Sequence, residues 1–292
     1  MIVGDVDVEV VVGAGAILGE GPVWDVRDGR LVWVDIMNSR VHRTDPLSGQ
    51  TESIDTPSHV GAVAPRAAGG FVAALEDGFW VIADGAPRRI ATVPEAAPGL
   101  RFNDGKCDPA GRFWAGTMAY DEGEGKGALY RLDGPGRAEQ VIHGVTISNG
   151  LGWSADQRTM YYIDTPRGTI DAFDFEVASG AIANRRTHVR LEAGVGGPDG
   201  MTIDVEGGIW VSLWGGAAIH RYLAGRLDRV VRLPVLKPTS CAFGGKDFDE
   251  LFVTSAVKDH TADMRRADPL AGALLRLRPG IQGLPPSVVT TA

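Results

Sequence analysis

The stretch Asp108-Pro-Ala-Gly-Arg-Phe-Trp-Ala-Gly-Thr117 joins an Asp/Gly turn to a short run of strand-forming residues. Five further segments repeat this order, and they begin at Asp25, Pro65, Ser154, Asp204 and Gly245. If Trp33, Val72, Trp114, Tyr162, Trp210 and Phe252 are equivalent, the repeats are spaced by 39, 42, 48, 48 and 42 residues. This spacing is typical of four-stranded propeller blades. The sequence therefore predicts an all-β, six-bladed β-propeller of four-stranded antiparallel blades.

The rest of the sequence indicates that residues 1–292 form a single propeller domain. The 40 Gly and 17 Pro suit many short strands joined by tight turns. No Pro/Ser-rich or charged linker interrupts the repeat. The segment Val6–Val12 is expected to pair with the last blade near Ala273–Leu277, so that the closed ring leaves no free strand edge.

Charge and hydropathy exclude several classes of partner. A net charge of −8 provides no basic stripe for phosphates, so nucleic acid is not an expected partner. Met1–Val8 is acidic where a signal peptide needs basic residues, and no run approaches the ~20 apolar residues of a membrane span. A cytoplasmic protein with no membrane association and no evident obligate protein partner is predicted. Cys107 and Cys241 are interpreted as buried packing residues.

The residues that precede the innermost strand of each blade are expected to lie at the mouth of the central channel. Glu20, Asn103, Asn149 and Asp199 stand 13, 11, 13 and 11 residues before the aromatic anchors of their repeats. Val60 and Ser240 occupy comparable places in the two other repeats. Four oxygen-bearing side chains should therefore face one axis.

These side chains suit a metal ion. Carboxylate and amide oxygens, without clustered His or Cys, are the ligands of a hard cation such as Ca²⁺, Mg²⁺ or Mn²⁺. Each residue taken alone could be explained as a turn residue. Their common register favours a binding site, because two carboxylates in one channel repel each other unless a cation lies between them.

Four segments of the chain resemble the senescence marker protein/gluconolactonase (regucalcin) family. They are Leu18-Gly-Glu-Gly-Pro-Val-Trp24, Arg101–Met118, Ser148–Ser154 and Pro198–Asp204. The resemblance extends over essentially the whole chain. It implies a six-bladed propeller with one divalent metal ion at its centre, which hydrolyses a sugar lactone.

The resemblance also implies roles for individual residues. Glu20, Asn149 and Asp199 would bind the metal ion, with Ca²⁺ as the first choice and Zn²⁺, Mn²⁺, Mg²⁺ or Fe²⁺ as further possibilities. Arg101 and Asn103 would bind the small-molecule substrate. The cation would polarise the lactone carbonyl, and Asp199 would act as the catalytic base that takes a proton from water.

Two loops are predicted to close over the same mouth. Met118–Gly127 is Gly-rich and acidic, and its Asp121 and Glu122 are expected to contact substrate hydroxyls. Ala256–Gly272, which contains His260, forms the second loop.

Other catalytic motifs are missing from the sequence. It has no Gly-x-Ser-x-Gly nucleophile elbow, no His-Glu-x-x-His zinc motif and no phosphate-binding loop. Two alternatives remain open. The same metal scaffold could hydrolyse phosphotriesters or aryl esters, or the propeller could bind calcium or partners without catalysis.

Overall fold

In the computed structural model of this protein, six sheets are arranged as the blades of a propeller. The structure describes residues 2–3, 6–13, 15–83, 86–93 and 99–292. Each blade contains four antiparallel strands, and in blades one to five these four strands follow one another in the chain from the innermost outward. The predicted all-β, six-bladed propeller is confirmed.

The first three blades are each built from consecutive strands. Blade one consists of β3 (Gly19–Asp25), β4 (Arg30–Asp35), β5 (Arg40–Thr44) and β6 (Thr51–Asp55). Blade two consists of β7 (Val60–Pro65), β8 (Phe71–Leu75), β9 (Gly78–Ala83) and β10 (Ala86–Thr92). Blade three consists of β11 (Leu100–Cys107), β12 (Phe113–Ala119), β13 (Gly127–Gly134) and β14 (Arg137–Val145).

The next two blades follow the same plan, and the last blade borrows a strand from the start of the chain. Blade four consists of β15 (Ser148–Trp153), β16 (Thr159–Asp164), β17 (Thr169–Phe175) and β18 (Ile182–Arg190). Blade five consists of β19 (Gly197–Ile203), β20 (Ile209–Trp214), β21 (Ala218–Leu223) and β22 (Arg226–Arg232). Blade six consists of β23 (Pro238–Gly244), β24 (Glu250–Ser255), β25 (Leu274–Leu277) and β2 (Val8–Val12).

The amino-terminal strand closes the ring as predicted. β2 pairs antiparallel with β25, so that Val8 lies opposite Leu277 and Val12 lies opposite Leu274. The chain also makes one strand pairing that was not predicted from the sequence. The short strand β1 (Ile2–Val3) runs parallel to β22 and extends blade five by one strand.

Apolar packing joins each blade to its neighbours. Among the described residues, six buried apolar clusters each bridge two adjacent blades. Trp114 of blade three lies edge to face with Trp153 of blade four, with ring centroids 5.9 Å apart. Trp24 of blade one stacks on Phe252 of blade six at 5.8 Å. Because this last contact joins the first blade to the final one, side-chain packing closes the wheel together with the strand pairing.

The Asp-initiated turn between the first and second strands explains why the repeat is visible in the sequence. Asp108 Oδ1 accepts backbone hydrogen bonds from Ala110 and Arg112 at 2.9 and 3.0 Å, which holds the turn. Its Oδ2 accepts from Trp114 Nε1 at 2.9 Å. Asp204 bonds to Trp210 Nε1 in the same way at 2.7 Å. In blades three and five, the turn aspartate and the strand tryptophan therefore hold each other's side chain in position.

The carboxyl-terminal segment crosses the face of the wheel at which these turns lie. Leu284 N donates to Ile203 O in blade five, whereas Val289 N donates to Pro65 O in blade two. One short helix, α1 (Ala262–Ala267), lies within the predicted loop Ala256–Gly272. None of the helices among the described residues has the length and apolarity that a membrane crossing requires. Cys107 and Cys241 are buried free thiols, as predicted.

Candidate functional site

Each innermost strand departs from regular pairing where the sequence predicts a residue facing the channel. The register shifts span Glu20/Val23, Val60/Ala62, Phe102/Gly105, Ser148/Leu151, Pro198/Met201 and Pro238/Cys241. A bulge bends its strand and redirects the side chain beside it. The six predicted hub positions therefore lie in or next to equivalent irregularities.

Glycines beside these bulges allow neighbouring innermost strands to approach closely. A methyl group placed on Gly150 would lie 2.7 Å from the carbonyl oxygen of Asp199. A methyl group on Gly61 would collide with the backbone at Phe102, and one on Gly200 would collide with Ser240. Such distances exclude any larger side chain without backbone movement. Backbone contact between adjacent blades thus sets the width of the hub.

Two carboxylates hold the segments that lead into the hub. Asp35, at the end of β4, accepts hydrogen bonds from Ile17 N and Leu18 N at 3.0 and 3.1 Å. Asp164, at the equivalent end of β16, accepts from Ile147 N at 2.9 Å. These bonds fix the backbone just before Glu20 and Asn149. In blades one and four, the second strand therefore positions a hub residue of the first.

Glu20 and Asp199 bring two buried carboxylates to the hub. Their residues are 3% and 5% exposed. Burial, together with the negative charge of Asp104, raises the pKa of Glu20 to about 8. Burial and then repulsion from Glu20 raise the pKa of Asp199 well above its ordinary value. The Glu20 charge is thus close enough to disfavour ionisation of Asp199.

Asn103 and Asn149 form a continuous hydrogen-bonded arc beside these acids. Asn103 Nδ2 donates to Ser148 O at 2.8 Å and to Asn149 Oδ1 at 3.1 Å. Asn149 Nδ2 donates to Thr165 Oγ1 at 2.7 Å, and that hydroxyl donates to Pro198 O at 2.8 Å. The bonds on both sides orient the Asn149 amide and leave its Oδ1 with a free lone pair.

Arg101 is the buried cation of the site. Its residue is 4% exposed, and its Nη1 donates to Asn103 Oδ1 at 2.6 Å and to Phe102 O at 3.0 Å. Burial lowers the pKa of its guanidinium, and nearby groups that include Glu20 and Asp199 oppose that shift. Among the described residues, Nε and Nη2 have no hydrogen-bond partner, which leaves these donors available to a ligand.

The oxygen set of the hub fits a divalent cation. A cation between Glu20 and Asp199 would relieve their mutual repulsion, and Asn149 Oδ1 offers a neutral third oxygen. Within the described part of the chain, no three His, Cys, Asp or Glu side chains gather in a metal-binding cluster. The proposed ligand set is therefore two carboxylates and an amide.

Asp121 and Glu122 lie on the rim and outside the buried network. Asp121 is exposed, and its carboxylate accepts from Gly123 N at 3.0 Å and from Lys126 Nζ at 2.6 Å. Glu122 lies 3.9 Å from Lys258, which belongs to the second predicted loop. The Glu122–Lys258 ion pair thus connects the two loops across the mouth. Substrate contact by either acid stays a prediction.

Asp104 is a hub residue that the sequence reasoning missed. It is 4% exposed, and its Oδ1 accepts from Gly105 N at 2.7 Å. Burial raises its pKa, while the nearby Lys106 ammonium opposes that rise. The register shift between Phe102 and Gly105 places two consecutive polar residues in the irregular segment, and the sequence carries no separate signal for the second. Counting one residue per blade stopped at Asn103.

A separate cavity of about 390 Å³ occupies the opposite half of the channel. Residues that follow the hub positions line it, including Val23, Lys106 and Thr202, and Leu284–Ser287 borders its far end. Lys106 is its one charged lining residue in the described chain. Because none of the predicted ligands lines this cavity, the acids and Arg101 at the other mouth define the candidate site.

Comparison with known proteins adds independent information. The family model described as SMP-30/Gluconolactonase/LRE-like region matches residues 18–257. Regucalcin of Danio rerio is 41% identical over 288 residues, which cover 96% of this chain and 97% of that protein. A Bacillus subtilis (strain 168) protein with the provisional name sugar lactone lactonase YvrE is 37% identical over 263 residues, covering 89% of this chain and 90% of that protein.

A solved structure shows the same architecture. The Agrobacterium tumefaciens protein described as regucalcin, a calcium-binding protein, superposes with a TM-score of 0.91 at 27% identity and covers 98% of both chains. The family match includes the segments that carry Glu20, Arg101, Asn149 and Asp199. On this sequence match and this shared fold, the chain belongs to the SMP-30/gluconolactonase/LRE-like family.

Proposed function

We propose that this protein is a divalent-metal-dependent lactonase that hydrolyses a sugar lactone to the corresponding aldonic acid. The observation that carries the proposal is the meeting of the Glu20 and Asp199 carboxylates beside the Asn103–Asn149 arc and Arg101. The family description and the name of the Bacillus relative support the same reaction class.

Glu20, Asn149 and Asp199 are the proposed ligands of the metal ion. All three offer oxygen, which favours Ca²⁺ and also accepts Mg²⁺, Mn²⁺, Zn²⁺ or Fe²⁺. The description of the Agrobacterium relative as calcium-binding supports Ca²⁺ as the first choice. When bound, such a cation polarises an ester carbonyl and stabilises the negative charge that develops on its oxygen.

Asp199 is the proposed general base. Burial raises the pKa of its carboxylate in the metal-free protein, and a cation beside it would oppose that rise and keep the group ionised, as a base must be. Its place at the hub lets it receive a proton from a water molecule that attacks the lactone carbon. Such proton transfer typically contributes ~10²–10⁴ in rate.

Arg101 and Asn103 are the proposed substrate-binding residues. The bond between them, at 2.6 Å, fixes the guanidinium, so that its free Nε and Nη2 donors can hold lactone or hydroxyl oxygens in one orientation. Asp121 and Glu122 would contact substrate hydroxyls from the rim. Their local bonds to Lys126 and Lys258 would have to rearrange for such contacts.

The proposal is tested by a pH-stat screen of aldonolactones with a panel of divalent metals. We expect chelation to abolish turnover and one or more metals to restore it. Asp199→Asn should keep the fold and lower kcat by about 10²–10⁴. Full turnover by metal-free protein, or by Asp199→Ala, would contradict the mechanism.

The same assay separates the two alternatives. A phosphotriester and an aryl ester are measured beside the lactones under identical metal conditions. Preferential turnover of either would assign the scaffold to that chemistry. Metal binding without turnover of any ester would favour a calcium-binding or interaction role.

A further inference from the structure

Tyr120 has an unusual orientation for a surface tyrosine. It follows β12 at the ligand-bearing mouth and is 42% exposed. Among the described residues, it is the one aromatic residue in the set of exposed large apolar side chains. A surface tyrosine ordinarily buries its ring and leaves its hydroxyl in water. Here the hydroxyl is bound to protein although the residue is partly exposed.

Two side chains of blade two hold the Tyr120 hydroxyl. Its O–H donates to Glu76 Oε1, and it also bonds with His59 Nδ1. Because the phenol gives its single proton to Glu76, His59 Nδ1 is the donor in the second bond. His59 and Glu76 also lie 3.5 Å apart, so the three side chains form a closed triangle. The hydroxyl therefore has no proton left to offer to a ligand.

The triangle places the ring beside the proposed substrate-binding residues. Arg101 Cζ lies 5.9 Å from the centroid of the Tyr120 ring. Tyr120 N donates to Gly99 O at 2.9 Å, which ties the start of the loop to the strand that carries Arg101. A ligand held by the free donors of Arg101 would lie next to this ring.

We propose that the Tyr120 ring forms a side wall of the substrate site and selects lactones that turn carbon-bound hydrogens toward blades two and three. A ring whose hydroxyl is already occupied offers only an apolar, electron-rich surface, and this surface favours C–H groups over hydroxyls. The inference rests on the proposed lactonase function. The expected ligands are lactones with an unsubstituted or deoxygenated face at this position.

The test compares two lactones of one ring size that differ in hydroxyl content, namely glucono-δ-lactone and δ-valerolactone. In the wild-type protein, kcat/KM is measured for both with Ca²⁺ or the metal that supports turnover. Tyr120→Gln replaces the apolar ring with a hydrogen-bonding side chain. We expect the valerolactone-to-gluconolactone ratio of kcat/KM to fall by about 10-fold, as the loss of one aromatic contact would produce.

Two further variants distinguish a substrate contact of the Tyr120 ring from a purely structural role of this residue. Tyr120→Phe keeps the ring and removes the bonds to Glu76 and His59, so the ratio should stay within about two-fold of wild type. Tyr161→Gln is the matched control, because Tyr161 also packs against a histidine, His188, at 5.0 Å but lies in blade four, outside the site network. It should leave both kcat/KM values unchanged.

The outcomes distinguish the wall from the lactonase proposal. An unchanged valerolactone-to-gluconolactone ratio of kcat/KM in Tyr120→Gln would contradict the proposal that the Tyr120 ring forms a side wall of the site. An equal fall in kcat/KM for both lactones would also contradict it, because such a fall would show that Tyr120 acts by positioning Arg101. Metal affinity, measured by calorimetry, should be the same in every Tyr120 variant. Failure of the wild-type protein to hydrolyse either lactone or any aldonolactone would overturn the lactonase proposal and this inference with it.

Discussion

Burial of the Glu20 carboxylate opposes folding when no cation lies beside it. The pKa of Glu20 is about 8 in the folded protein, against an ordinary value of 4.5. Between these values the folded state binds a proton that the unfolded chain has released, so the stability of the metal-free protein falls as pH rises from about 4.5 to about 8. A cation at the hub would replace that proton.

Glu20→Gln should therefore separate stability from metal binding. We expect the metal-free variant to melt at a higher temperature than metal-free wild type near pH 8, with a smaller difference near pH 5. Its metal affinity should be at least about 100-fold weaker, because a charged ligand is lost. Calorimetric titration and thermal melts measure the two effects.

The matched control is Glu52→Gln, which removes one exposed carboxylate from the outer strand of the same blade. It should change neither metal affinity nor the pH dependence of melting between about pH 5 and about pH 8, because Glu52 stays ionised over that range. Wild-type metal affinity in Glu20→Gln would remove Glu20 from the ligand set.

Arg101→Lys tests the second residue-scale claim. A lysine cannot donate to Asn103 while offering two further donors in the plane of a guanidinium. We expect kcat/KM for an aldonolactone to fall about 10- to 100-fold, as for the loss of charged hydrogen bonds, while metal affinity stays unchanged. Arg30→Lys, at an exposed ion pair of blade one, is the control. Full activity in Arg101→Lys would show that the substrate does not use the planar group.

The register of the repeat was enough to predict Glu20, Asn103, Asn149 and Asp199 as equivalent positions. The structure places all four within the first half of their innermost strands and not before them, because the strands begin earlier than the apolar pattern indicates. The repeat did not predict the direction in which each side chain points. This direction depends on bulges whose formation requires the neighbouring strand, and these bulges also bury Asp104 beside Asn103. Counting along the sequence assigns one hub residue to each blade and therefore misses Asp104, the second hub residue of blade three.

At the scale of the elements, the bulges depend on glycines at strand contacts. Gly61→Ala would force a methyl group into the backbone at Phe102, next to Asn103. We expect a loss of about 1–3 kcal/mol in the free energy of unfolding from overpacking, with weaker metal binding because blades two and three move apart. Urea denaturation and calorimetric titration measure the change.

Gly13→Ala is the control for this prediction. A methyl group at Gly13 would meet no atom within 4 Å, so its stability should stay within about 0.5 kcal/mol of wild type. If Gly61→Ala behaved like Gly13→Ala, close approach at Gly61 would not control the geometry of the hub.

For the whole molecule, the sequence predicted the closure of the ring but not the cover over its far face. Val8–Val12 has the apolar, β-branched character of a strand, and its pairing with β25 followed from the need to complete blade six. The segment Gly283–Ala292 forms isolated bridges and scattered hydrogen bonds instead. Such contacts carry no residue periodicity, so only the assembled wheel determines where this segment lies.

Deletion of residues 1–12 tests closure at this scale. Loss of β2 exposes the edge of β25 and uncovers the apolar cluster between blades six and one, against which Val11 and Val12 pack. We expect the free energy of unfolding to fall by about 2–5 kcal/mol, with a matching drop in melting temperature of roughly 10 °C. The exposed edge should also promote association, which light scattering would detect. Deletion of residues 1–7 removes β1 but keeps β2, so it should cost much less. If the two truncated proteins had the same melting temperature, pairing of β2 with β25 would contribute little to holding the ring closed.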